Sequence, residues 1–117
     1  MKKEIADRWI EALESGKYSQ TTNNLKTSEG FCCLGVLCEI TKEETGLEWT
    51  DWDKSSSSIC GHTVSLPGEV QDIAGMHTSC GVLPLHLFRG KSLTSLNDDG
   101  KTFSEIAQII RDNWEEL

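Results

Sequence analysis

Polar side chains of the types found in small-molecule sites lie ahead of two predicted helices of this chain. Tyr18, Gln20 and Asn24 precede one of them, and Asn97 and Asp98 precede the other. Helix N-termini present free backbone N–H groups that suit phosphate or carboxylate. A tyrosine ring can stack on a base, amides can hydrogen-bond its edge, and a carboxylate can hold ribose hydroxyls. The pattern therefore predicts a site for a small nucleotide-like ligand.

The phosphates of such a ligand would also need a cation. The candidates are Arg8, Lys17, Lys26 and Arg89, of which Arg8 is assigned to the ligand site. A structural role for the same polar residues is the alternative. Asn and Asp favour turns for backbone reasons alone, and a glutamine or tyrosine here could satisfy backbone groups or join the core. Both interpretations stay open on the sequence alone.

Two cysteines and two histidines form a second set, in the order Cys60, His62, His77 and Cys80. Zinc accepts two thiolates and two imidazoles in tetrahedral geometry. The first pair is spaced more tightly than in the usual zinc motifs, so two ordinary loops are the alternative. We expect no metal and no other cofactor.

A cysteine nucleophile and a carboxylate pair are the catalytic candidates. Cys32 or Cys33 at a helix N-terminus would have a lowered pKa if exposed, with a histidine as base. The apolar residues around them favour buried, inert thiols instead. Asp98, Asp99 and Glu105 could act as acid and base, but neighbours on a turn point apart and Glu105 fits a capping role. The sequence therefore favours a binding protein over an enzyme.

The charge balance excludes some partners. The 117 residues carry 11 basic and 19 acidic side chains, a formal net charge of -8. Nucleic acids and anionic membranes need clustered Lys and Arg, so neither is expected as a partner. The five cysteines are odd in number and two are adjacent, which indicates reduced thiols in a cytosol.

Two amphipathic helices are predicted near the ends of the chain. Apolar residues at helical spacing predict one over residues 3–15, with Gly16 as its left-handed stop. The same spacing predicts the other over residues 103–115, where Thr102 and Glu105 fit a capping box. One shared core between these helices is the expected consequence.

The uncharged run from Gly30 to Cys38 is the predicted centre of that core. It indicates a buried helix over residues 31–45, capped by Ser28 or Gly30. A glycine at position 35 costs about 1 kcal/mol in a helix, so close packing is expected to compensate.

The remaining segments are less regular. The predictions are an extended loop or short strand over 17–30, a loop or hairpin over 47–64, a helix opened by Pro67 through Ala74, an irregular stretch over 76–92 and a turn at Leu96–Gly100. The expected fold class is α+β, with three to four helices packed on a small antiparallel sheet in a single domain over 1–117.

Three blocks of the chain resemble a family of small proteins encoded by tailed bacteriophages. They are RWIEALESGKYSQ at 8–20, FCCLGVLC at 31–38 and LNDDGKTFSEIA at 96–107. The resemblance implies the cytoplasm of a bacterial host. It gives no function by itself.

Small phage proteins often counter host defence, and some sequester nucleotide signals. By this analogy we expect a non-enzymatic protein that sequesters an ADP-ribose derivative or a cyclic nucleotide without cleaving it. An acidic inhibitor that binds a host enzyme, and a hydrolase of the same signals, are the alternatives. Trp49 and Trp52, if exposed, leave room for a homo-oligomer.

Overall fold

Helices and short antiparallel strands make up the computed structural model, which describes residues 1–51, 57–59 and 61–117. The helices are α1 (Lys3–Glu14), α2 (Cys33–Ile40), α3 (Lys42–Thr45), α4 (Gly68–Ala74), α5 (Leu85–Phe88), α6 (Leu93–Asp98) and α7 (Phe103–Asn113), with a 3-10 turn over Trp114–Glu116. The strands are β1 (Lys26–Thr27), β2 (Gly30–Phe31), β3 (Trp49–Asp51) and β4 (Ser57–Ile59). The predicted α+β class is confirmed, and four of the described helices have seven or more residues.

The two terminal helices pack against each other, and α1 also packs against α2. The predicted apolar stripes are buried, including Trp9 in α1 and Ile110 in α7. The indole N–H of Trp9 donates to the carbonyl of Cys33 over 2.8 Å. The capping box of Thr102 and Glu105 is confirmed. Residues 100 positions apart in the sequence therefore share one core.

The predicted helix over 31–45 is wrong at its start and in its continuity. Phe31 donates its N–H to the Ser19 carbonyl and belongs to β2, so the helix starts at Cys33. Its cap is the thiol of Cys32, which accepts from the Gly35 N–H over 3.4 Å, in place of the expected serine or glycine. The helix ends at Ile40, and α3 follows as a separate turn.

Gly35 lies against the backbone of the preceding loop. A Cβ at this position would lie on top of the Leu25 carbonyl oxygen. That carbonyl also accepts from the Cys32 N–H over 3.1 Å. The close packing predicted for the glycine is therefore confirmed.

The described strands form a sheet in the order β2-β1-β4-β3, with antiparallel neighbours. Lys26 pairs with Phe31 on one side and with Ser57 on the other, and Trp49 pairs with Ile59. The hairpin alternative for residues 47–64 is confirmed by the pairing of β3 with β4. β4 therefore lies between β1 and β3 and joins the two hairpins into one sheet.

The turn predicted at Leu96–Gly100 is wrong over its first half. Leu96 to Asp98 form the last turn of α6, which Ser92 caps in a box with Ser95. The chain reverses only at Asp99 and Gly100. Within the described residues, no helix has the length and apolar character needed to cross a membrane.

Candidate functional site

The two amide residues of the predicted ligand site are in direct contact. Gln20 Nε2 donates to Asn97 Oδ1 over 3.0 Å, although 77 positions separate them. Asn97 is fully buried, and Gln20 lies at the surface. The structure therefore brings these two side chains together, as the sequence predicts.

Both side-chain amides also form hydrogen bonds with backbone groups. Asn97 Oδ1 also accepts from the Cys33 N–H over 3.1 Å, and its Nδ2 donates to the Thr21 carbonyl over 2.8 Å. Gln20 Oε1 accepts from the Phe103 N–H over 3.1 Å, and its Nε2 donates to the Lys101 carbonyl over 2.7 Å. The first N–H groups of α2 and α7, which the sequence assigns to a phosphate, are thus held by the protein's own side chains.

The other polar residues of that prediction hold the loop before β1. Asp98 Oδ1 accepts from the Asn23 N–H over 2.9 Å, and Asn23 has a positive φ of 72°. Asn24 follows it and is half-buried. We call Gln20, Asn97 and Asp98 with the backbone groups they bind the amide network.

Arg8 and Tyr18 line a cavity of about 240 Å³, together with Glu11, Ala12, Ser15, Lys17 and Ile40. Arg8 donates to Glu44 Oε1 over 2.7 Å and to the Ile40 carbonyl over 2.6 Å. Lys17 has no carboxylate within salt-bridge distance in the described part of the chain. We call this cavity the tyrosine cavity. Gln20 and Asn97 are not among the residues that line it.

A larger cavity of about 530 Å³ lies beside the sheet and is lined by Lys26, Lys42, Glu43, Gly46, Leu47, Glu48 and Trp49. We call it the tryptophan cavity. The sequence offers Lys26 as a candidate cation and Trp49 as a dimer contact, but it does not connect them. Trp52, the other expected dimer contact, lies outside the described residues.

Glu39 fixes two side chains of the tryptophan cavity. Its carboxylate accepts from the Trp49 indole N–H over 2.6 Å and from Lys42 Nζ over 2.9 Å. Burial acts to raise the pKa of Glu39, but the hydrogen bonds from Lys42 and Trp49 outweigh burial and hold it below its ordinary value. The hydrogen bond to Glu39 also raises the pKa of Lys42. Glu39 therefore fixes the positions of the Trp49 indole and the Lys42 ammonium group.

Lys26 lies above two aromatic rings. Its Nζ is 5.4 Å from the Phe31 ring centroid and 5.3 Å from that of Trp49, both within the range of cation–π attraction. No carboxylate of the described residues forms a salt bridge with it. Lys26 is thus a positive charge in an open cavity with no salt-bridge partner among the described residues, although its charge also helps to lower the pKa of Glu39.

Three rings follow one another across this surface. Phe31 meets Tyr18 edge-on at 5.5 Å between centroids and meets Trp49 at 6.0 Å. We call Tyr18, Phe31 and Trp49 the aromatic row. Tyr18 lines the tyrosine cavity and Trp49 lines the tryptophan cavity, while Phe31 lies between their rings and lines neither cavity.

The thiols of the buried run lie in the core. Cys32, Cys33 and Cys38 are buried, and desolvation raises the pKa of all three, that of Cys32 to about 11. Thiols in this state carry little thiolate near neutral pH.

Each of the three candidate carboxylates interacts with a different group of the protein. Asp98 accepts from the backbone of Asn23, Asp99 pairs with Lys91 at 3.0 Å, and Glu105 accepts from the Thr102 N–H at 3.1 Å. Of the candidate zinc ligands, Cys60 lies outside the described residues. His62 and Cys80 are half-buried and His77 is exposed. Over the ranges that the structure describes, no group of three or more His, Cys, Asp or Glu side chains could hold a metal ion.

The chain belongs to the family described as "Domain of unknown function (DUF8296)", which matches residues 1–114. No curated protein matches the chain, and no solved structure does. The amide network, the aromatic row and both cavities lie within the matched residues.

Proposed function

We propose that this protein binds a small nucleotide-like anion in the tryptophan cavity and does not cleave it. The observation that carries the proposal is Lys26, an ammonium group without a salt-bridge partner among the described residues, placed over the rings of Phe31 and Trp49. In a chain with a net charge of -8, an unpaired cation in a cavity favours an anionic ligand.

The lining of the cavity matches the parts of a nucleotide. A base can stack against the Trp49 indole, and its phosphate can meet the ammonium groups of Lys26 and Lys42. The carboxylates of Glu43 and Glu48 are acceptors for ribose hydroxyls. Glu39 holds the indole and Lys42 before a ligand arrives, so little side-chain entropy is lost on binding.

Binding without cleavage is supported by the state of the candidate catalytic groups. The thiols are buried with raised pKa values, and the acidic candidates are each bound to a different partner. None of these groups lines either cavity.

The proposed biological role is sequestration of a nucleotide-derived immune signal in the cytoplasm of a bacterial host. This part of the proposal is supported by the three blocks that resemble tailed-bacteriophage proteins. Capture of a signal requires affinity and no turnover, and the cavity offers two lysines and the Trp49 ring for affinity.

The test is isothermal titration of the full chain with AMP, ADP-ribose and cyclic di-AMP, followed by chromatography of the ligand recovered after denaturation. We expect at least one of them to bind and to be recovered intact. Lys26→Gln should weaken binding by about tenfold, because one charge-assisted contact is lost. Lys91→Gln is the control, since it removes the same charge outside both cavities. Failure of all three nucleotides to bind would refute the proposal, and a cleaved product would replace it with hydrolysis.

A protein-binding inhibitor is the second candidate, and the exposed leucines of α5 favour it. Leu85 is 74% exposed and Leu87 is 62% exposed. Single exposed apolar residues are common, but two on one short helix favour contact with a protein. Pull-down from a host lysate at two salt concentrations would test it, with Leu85→Ser and Leu87→Ser combined in one variant. A partner that the double variant loses and Lys26→Gln retains would favour this candidate.

A further inference from the structure

We infer that the ligand is a dinucleotide, with one base at Trp49 and the other at Tyr18, and with its anionic linker at Lys26. This inference rests on the proposed function, because it extends the same site to its neighbouring cavity. The ligand class is two ring systems joined through phosphate.

The first argument is that the two cavities are adjacent. Ile40 lines the tyrosine cavity and Lys42 lines the tryptophan cavity, so a single residue, Thr41, separates their walls along the chain. The aromatic row also connects them, since the central ring of Phe31 contacts a ring from each side. A ligand that follows the row enters both cavities.

The second argument is that the two cavities offer the same chemistry. Each has an aromatic ring on its lining, Tyr18 in one and Trp49 in the other. Each also has a lysine that forms no salt bridge with a described carboxylate, Lys17 in one and Lys26 in the other. A repeated pair of ring and cation suits a ligand that itself repeats a base and a phosphate.

The third argument is the position of Lys26. Its ammonium group lies over Phe31, the middle ring of the row, as well as over Trp49. A phosphate linker that joins bases at the two ends of the row would pass this ring. The Lys26 ammonium group, which forms no salt bridge with a described residue, is therefore placed where the linker carries its negative charge.

The fourth argument is size. The tryptophan cavity, at about 530 Å³, falls within the range of small-molecule sites, roughly 300–1,000 Å³. The tyrosine cavity, at about 240 Å³, is below that range and suits a part of a ligand better than a whole one. A second base attached to a nucleotide in the larger cavity is such a part.

The experiment compares AMP with two dinucleotides, linear diadenosine pyrophosphate and cyclic di-AMP, by isothermal titration. Linking two binding groups raises affinity without new kinds of contact, so we expect a dinucleotide to bind at least about tenfold more tightly than AMP. Tyr18→Leu should remove that advantage while it leaves AMP affinity unchanged. Trp49→Leu should weaken the binding of AMP and of both dinucleotides. The two dinucleotides distinguish a linear from a cyclic linker.

The outcomes separate this inference from the proposed function. Equal affinity of AMP and both dinucleotides, or a dinucleotide advantage that survives Tyr18→Leu, would overturn the double site and leave the nucleotide site standing. Absence of binding by every probe would overturn both. Lys17→Gln provides a second variant should Tyr18→Leu unfold, with the same expected loss of the dinucleotide advantage. Lys91→Gln should change neither affinity.

Discussion

The amide network and the surface along the aromatic row differ in what their polar side chains contact. In the network, Asn97 and Gln20 direct their hydrogen bonds to each other and to the backbone of three separate segments. Beside the row, Lys26 faces two of its rings and an open cavity and forms no salt bridge with a described residue. The comparison indicates that the network stabilises the fold, whereas the row is the surface to which the proposed function assigns the ligand.

The largest expected effect is on the network, from Asn97→Ala. The change leaves the Cys33 N–H and the Thr21 carbonyl without the partner that the buried amide provides. Each buried group that loses its partner costs about 1–3 kcal/mol, so the free energy of unfolding should fall by roughly 4 kcal/mol. Urea denaturation measures this fall in the free energy of unfolding. Asn113→Ala, which removes one amide bond to the Ile109 carbonyl near the C-terminus, is the control and should cost about 1 kcal/mol.

Gly35→Ala should cost about 3 kcal/mol, because the new methyl group would displace the backbone of Leu25. That displacement also breaks the hydrogen bond from the Cys32 N–H. Gly68→Ala is the matched control, since a Cβ there meets nothing within 4 Å. The same denaturation series compares the two variants. Equal stability of both would show that the loop before β1 moves freely away from α2.

Alkaline pH should destabilise the fold through the buried thiols. Burial raises the pKa of Cys32 from 9.0 to about 11, so the folded chain keeps a proton that the unfolded chain loses. The free energy of unfolding therefore falls as pH rises from 9.0 to about 11, by about 1.4 kcal/mol per pH unit for this thiol. Cys32→Ser keeps an oxygen to accept from the Gly35 N–H and should reduce the slope by that amount. An unchanged slope in this variant would contradict the assignment to Cys32.

Gln20→Ala is expected to have a smaller effect on stability. Gln20 lies at the surface, and water can replace part of what its amide gives to Phe103 and Lys101. The loss of this cap should cost about 1 kcal/mol. Thr102→Ala, which removes the other cap of α7, should cost a similar amount in thermal denaturation. A loss above that of Asn97→Ala would reverse the order of the two amides.

The parts of the fold that could be predicted from sequence depend on local spacing. The stripes of α1 and α7 repeat at helical periods, and a glycine within an apolar run indicates close packing without reference to its partner. The α6 helix was not predictable from the run around Asn97 and Asp98, because these residues favour turns as well as helix ends. The start of α2 also differs, since Phe31 is held in β2 by its pairing with β1 and by its hydrogen bond to the Ser19 carbonyl.

The candidate site was only partly predictable, because local spacing does not show which distant segments meet. The contact between Gln20 and Asn97 agrees with their positions beside two helix starts, but the sequence does not reveal whether an amide binds a ligand or the backbone. The tryptophan cavity depends on the register that pairs β4 with both β1 and β3. No local pattern connects Lys26 to Trp49, so the cavity appears only in the folded chain.

One paired measurement tests the central claim, which is that the aromatic row binds the ligand and the amide network stabilises the fold. The dissociation constants for ADP-ribose and cyclic di-AMP are measured by isothermal titration for Lys26→Gln and Gln20→Ala, beside the unfolding free energy of each variant. We expect Lys26→Gln to weaken binding by about tenfold with unchanged stability, and Gln20→Ala to lose about 1 kcal/mol of stability with unchanged affinity. Loss of binding in Gln20→Ala together with full binding in Lys26→Gln would contradict the claim.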